Sequence, residues 1–100
     1  MSNPARGEAS IRAAGIEHLL RPSFEALVRA EDELGPLFAL VERAGEGQLR
    51  LGEIAALFWH CLADHTLSRE AVGEAVLAMG LAEAARPLRV LLGEILRGRT

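Results

Sequence analysis

Apolar and polar positions alternate at the start of the chain. In "EASIRAAGIEHLLR", Glu8 to Arg21, the residues Ala9, Ile11 and Ala13 share one face of a strand, and Ile16, His18 and Leu20 share one face of the next. A three-residue loop ending at Gly15 supplies the left-handed turn between them, although Ala13 and Ala14 are weak turn formers. From Arg21 onward the period lengthens from two to about 3.6 residues. "RPSFEALVRAEDELGP" reads as a helix with Ser23 as N-cap, Glu25 near the positive end of its dipole and Gly35-Pro36 closing it. At about 100° per residue, Phe24, Leu27, Val28 and Leu34 fall on one stripe, and Glu31 falls in the middle of it.

The helical period continues to the end. Pro36 can open a second helix with Leu37, Leu40, Val41 and Ala44 on one side, and "GEGQ" ends it. A third helix is expected from about Gly52 to Asp64, burying Ile54, Leu57, Phe58 and Cys61. Ser68 caps a fourth helix, with Leu67 and Val72 placed as a hydrophobic staple and Gly80 as its stop. Pro87 removes an amide donor and disfavours helix at Arg86, so a short turn is expected there, followed by a helix from Pro87 to about Arg97 bearing Leu88, Leu91, Leu92 and Ile95. The reading is one mainly α domain over residues 1–100, with a β-hairpin at about 8–21 and four to five short helices at about 23–97.

Composition narrows the function. The 100 residues suffice for one cored domain, and 50% hydrophobic with 25% charged residues is the balance of a folded globular chain. All 11 basic residues are arginines, scattered through a chain of net charge −3, which gives no basic patch for nucleic acid and no polybasic segment for lipid. The lone Cys61 requires no oxidising compartment. The opening "MSNPARGEAS" has no apolar signal core and no run is long enough to span a membrane, so a cytoplasmic protein is expected.

Candidate chemistry concentrates in "WHCLADH". His60 and Asp64 lie one helical turn apart, with Cys61 and His65 nearby, but neighbouring helix positions point about 100° apart and no three of these side chains converge. The histidines are read as complements to a helix C-terminus and Cys61 as a core residue. No cysteine–histidine pair faces a third orienting group, and no glycine-rich phosphate loop lies between a strand and a helix, so no enzyme, metal or cofactor is expected. In "EDE", Glu31 to Glu33, two of the acids are expected to point into water. "LGEIAALFWHCLADHTLSREAVGEAVLA" has the outline of a helix-turn-helix, the alternative reading being a small DNA-binding regulator. Glu70 and Glu74 beside a lone Arg69 would repel phosphate there.

Trp59 points away from Ile54, Leu57 and Phe58, toward the small residues Ala55, Ala56 and Ala63. Either another part of the chain covers it, or Trp59 with Ala55 and Ala63 forms a contact for a partner. Glu31 is read as a buried structural acid that ties hairpin to helix, by pairing with Arg12, Arg21 or His18 or by accepting backbone amides.

The segments "NPARGEASI", "LRPSFEALVRAEDELG", "GQLRLGEIAALF" and "LSREAVGEAVLAMGLAEA", in this order and with the turn at Gly15, resemble the small tail assembly chaperone-like proteins of prophage and gene transfer agent clusters. The likeness runs from Asn3 to about Ile95. Two features depart from it: "AAG" stands where the family places a polar residue before glycine, and Pro87 interrupts a terminal helix that is usually continuous. The resemblance implies a non-enzymatic protein that coats the tape measure protein, or binds the tail tube protein, until tube subunits take its place. It keeps Glu31 without explaining it.

Overall fold

A computed structural model describes residues 9–98. Glu8 and the rest of the opening segment lie outside the described residues. The elements follow the sequence pattern: strands β1 (Ala9–Ala13) and β2 (Ile16–Leu20), then helices α1 (Phe24–Leu34), α2 (Leu37–Gly45), α3 (Leu51–Cys61), α4 (Arg69–Met79) and α5 (Leu81–Arg97). The expected hairpin with short helices is therefore the observed architecture.

The hairpin is antiparallel, with Ile11 opposite His18 and Ala13 opposite Ile16. That register leaves a two-residue loop, Ala14-Gly15, in place of the expected three-residue one. Both residues have positive φ, 54° at Ala14 and 80° at Gly15, the backbone that matches the right-handed twist of the flanking strands. Ala9, Ile11, Ala13, His18 and Leu20 face inward as expected, whereas Ile16, at the tip, is exposed. Alanine at positive φ is strained by about 1 kcal/mol. Ala14→Asn, which tolerates this conformation, is expected to raise stability by about 0.5–1 kcal/mol, a Tm gain of a few degrees in a thermal melt. An unchanged or lower Tm would remove the strain argument.

Strand β2 is joined to the end of α3 by main-chain bonds. Arg21 N–H donates to the Cys61 carbonyl (2.6 Å) and Ala63 N–H to the Leu19 carbonyl (2.9 Å), and Leu20 bridges Leu62. These bonds end α3 at Cys61, three residues earlier than Asp64, because the chain turns out to pair with the strand.

Helix α1 is capped by the Ser23 hydroxyl, which accepts from Ala26 N–H (3.1 Å), and is closed by Gly35 at φ 92°. Its core-facing residues are Ala26 and Ala30. Small side chains let the helix lie close to α3, against which it packs. The apolar stripe chosen by size is consequently split: Leu27 and Leu34 reach the core edge, while Phe24 and Val28 are exposed.

Glu31 corrects its expectation in the same way. It is exposed rather than buried, and it makes no arginine pair to the hairpin among the described residues. One carboxylate oxygen accepts the Leu37 N–H (3.0 Å). Pro36 at the head of α2 has no side chain able to cap, so Glu31 satisfies one of the orphan amides there. Glu31 thus accepts one backbone amide, and the element it ties to α1 is α2, not the hairpin.

Helix α3 is the centre of the domain, with Ala55, Ala56, Leu57, Phe58 and Cys61 all buried. Its first turn is held by Glu53, whose carboxylate accepts Arg50 N–H (2.9 Å) and pairs with Arg43 of α2 (2.8 Å). Both bonds hold the Glu53 carboxyl below its ordinary pKa, the Arg50 amide contributing most. Ser68 caps α4 by accepting Ala71 N–H (3.1 Å), Val72 is fully buried, and Leu67 packs at the core edge.

Helix α5 differs from expectation. It starts at Leu81, directly after the shared Gly80, and runs through Pro87 to Arg97 without the expected turn. Proline costs this helix an amide donor. The face formed by Ala84, Leu88, Leu91, Leu92 and Ile95 nevertheless packs against the core on both sides of it, and tertiary packing rather than propensity decides helix formation. The terminal helix is thus continuous.

Candidate functional site

The indole of Trp59 is engaged by its own chain. Its Nε1–H donates to the Leu67 carbonyl (3.1 Å), the Arg69 guanidinium lies 4.7 Å above the ring, and the rings of His60 and His65 meet it edge-on at 5.1 and 6.0 Å. Ala55 is buried beside Gly73 of α4, so it is closed to a partner, and Ala63 lies beyond the end of α3, where its amide bonds Leu19. The three predicted contact residues therefore do not form one surface. The periodicity added Ala63 because it carried the helix past Cys61, and it gave no sign that α4 covers Ala55.

Around Trp59 the structure gathers a cluster that spacing alone does not reveal. Glu33 of α1 accepts His60 Nε2–H from α3 (2.9 Å) and an Arg69 N–H from α4. The acids expected in water, Asp32 and Glu33, are both exposed, but Glu33 also joins three helices. Its partners lie 27 and 36 positions away, beyond the reach of any helical pattern. Arg69 holds the Glu33 carboxyl below its ordinary pKa of 4.5, and His60 adds to the effect. A depressed folded-state value means that this contribution to stability is present above about pH 4.5 and is lost as pH falls through the folded pKa. The Tm difference between the native chain and Glu33→Gln is expected to shrink steadily below about pH 4.5; a difference constant down to pH 3 would show that the carboxylate charge contributes nothing.

The same geometry bears on the chemistry considered for "WHCLADH". Asp64 accepts the Thr66 hydroxyl (2.8 Å) and amide, chiefly the hydroxyl holding its pKa down. Burial pushes the Cys61 thiol up to about 12, with Glu94 adding to it, so at neutral pH it is no thiolate nucleophile. Among the described residues no group of three His, Cys, Asp or Glu side chains stands together to hold a metal ion. Arg69, the cation a helix-turn-helix would need at the head of α4, is held by Glu33 and Trp59, beside the exposed Glu70 and Glu74. No helix of the described residues is long and apolar enough to cross a membrane.

The most unusual surface lies across α1, α2 and α5. Two of the three phenylalanines are turned outward, Phe24 86% and Phe38 80% exposed. Phe24, Val28 and Glu31 follow one another at helical spacing along α1. Glu31 then borders a groove of about 220 Å³ whose other walls are Leu37, Phe38 and Val41 of α2 and Ile95 and Leu96 of α5. Leu96 is 55% exposed. Exposed apolar residues scattered singly are ordinary, whereas in general a larger exposed apolar patch goes with interaction surfaces.

Neither a curated protein nor a solved structure matches the chain. A family described as "Phage tail tube protein, GTA-gp10" matches residues 6–98, nearly the whole chain. This is the phage and gene transfer agent tail class that the sequence resembles, described as a tube protein and not as an assembly chaperone. The chain belongs to the phage tail tube protein family GTA-gp10.

Proposed function

We propose that this protein is a non-enzymatic, cytoplasmic component of phage or gene transfer agent tail assembly, which holds a tape measure or tail tube protein on the apolar face of α1, α2 and α5. The observation that carries the reading is the outward placement of Phe38 in the groove closed by Leu96, with Phe24 exposed two turns before Glu31 on α1. A long helix in transit to the tail exposes an apolar stripe, and a groove between helices suits such a stripe. Glu31 and Glu42 keep the surface partly polar, in keeping with contacts that must be released when the tail is finished.

A second reading follows from the family description: the same face joins copies of this chain within a tube. One experiment separates the two. The chain is co-expressed with the tape measure and tube proteins of its own gene cluster, and a Phe24→Ser/Phe38→Ser form is compared for co-purification and for mass by light scattering. Capture of either protein that the double variant loses supports the chaperone reading. A ring or filament of the chain alone that the variant breaks supports the tube reading. Equal capture by both forms removes the apolar face from the account.

A further inference from the structure

Resting on the partner-binding reading above, we infer that the groove between α2 and α5 takes an amphipathic helix carrying lysine or arginine at the edge of its apolar stripe. The groove, at about 220 Å³, falls below the roughly 300 Å³ at which small-molecule sites begin. It has room for one or two side chains of a larger partner, the usual form of an interface anchor.

Charge selects the partner. Among the described residues, Glu31 is the only charged one lining the groove. One of its oxygens accepts the Leu37 amide, and no cation of the described residues pairs with the other. Glu42 stands one helical turn beyond Phe38 on the same face of α2, exposed and likewise without an ion pair among the described residues. The Leu37 bond fixes the Glu31 carboxylate in place, so a cation arriving beside Phe38 meets a charge already oriented.

A second copy of this chain fits poorly. In a two-fold contact the same patch meets itself, which sets Glu31 and Glu42 against acids, and among the described residues the groove lining offers no arginine to answer them. A basic amphipathic helix answers both the apolar walls and the acids.

The test uses the full chain and two synthetic helical peptides with the same leucine stripe, one flanked by lysines and the other by glutamates at the same positions. At low salt the lysine peptide is expected to bind about tenfold more tightly, two exposed pairs each contributing roughly threefold to fivefold. Near 1 M salt, where charges are screened beyond about 3 Å, the difference should fall to within about twofold. Glu31→Gln keeps an oxygen for the Leu37 amide but removes the charge. Together with Glu42→Gln it should erase the preference at unchanged Tm. Phe38→Ser should weaken binding of both peptides about tenfold.

Equal binding of the two peptides, with loss on Phe38→Ser, overturns the charge inference and leaves the apolar-face reading intact. Binding of neither peptide, or binding insensitive to Phe38→Ser, overturns the inference as well, and the co-purification experiment then decides the broader reading separately. A dimer of the native chain that Phe38→Ser dissociates makes a second copy the occupant and overturns it too.

Discussion

Phe58→Ala should lower stability by about 3–5 kcal/mol and Tm by more than 10 °C, measured by helical circular dichroism on heating. Phe58 is fully buried on the helix that α1 and α4 pack against, so its ring has no route to solvent and the cavity left behind can close only partly. Set against the roughly 5–15 kcal/mol that holds a small domain folded, that loss leaves the variant marginal. A Tm drop below about 2 °C would mean that α3 is not the element on which the others are built.

The second large effect runs the other way. Phe24→Ser/Phe38→Ser should change stability by no more than about 0.5 kcal/mol, because both rings stand in solvent, yet it should weaken capture of the tail partner by roughly 100-fold, two anchors at about 1.4 kcal/mol each. On the proposed function, the three phenylalanines divide into one that serves the fold and two that serve contact. If the double variant melts as early as Phe58→Ala, the outward rings belong to the core and the contact surface must be sought elsewhere.

The sequence was informative where local chemistry decides. Alternation marked the hairpin, and Ser23, Gly35, Ser68 and Gly80 marked helix ends because each acts within a few residues of itself. It misled where a partner element decides. The large apolar residues of α1 drew attention to the wrong face, since close helix packing favours Ala26 and Ala30 and leaves Phe24 outside. Pro87 argued for a break that the apolar face of α5 overrides. Glu31 looked buried only while Phe24 and Val28 did; once they turn outward, the acid is an exposed cap for a helix that begins with proline. The Glu33 cluster has no local signature, because its three members come together only when α1, α3 and α4 have packed.

The seam between β2 and the end of α3 bears on how the chain is made. Synthesis delivers the hairpin first, but a two-stranded ribbon alone is marginal in water, and Leu20 meets Leu62 only after roughly forty more residues have left the ribosome. Until then the outer edge of β2 is open. Once Cys61 and Ala63 bond Arg21 and Leu19, the stretch from β2 through α3 is closed into a loop by its own backbone. α4 and α5, both of which contact β1, arrive last and are laid onto a frame already pinned. The groove walled by α2 and α5 therefore exists only once α5 has been made, so a copy stalled before that helix has no such surface to offer.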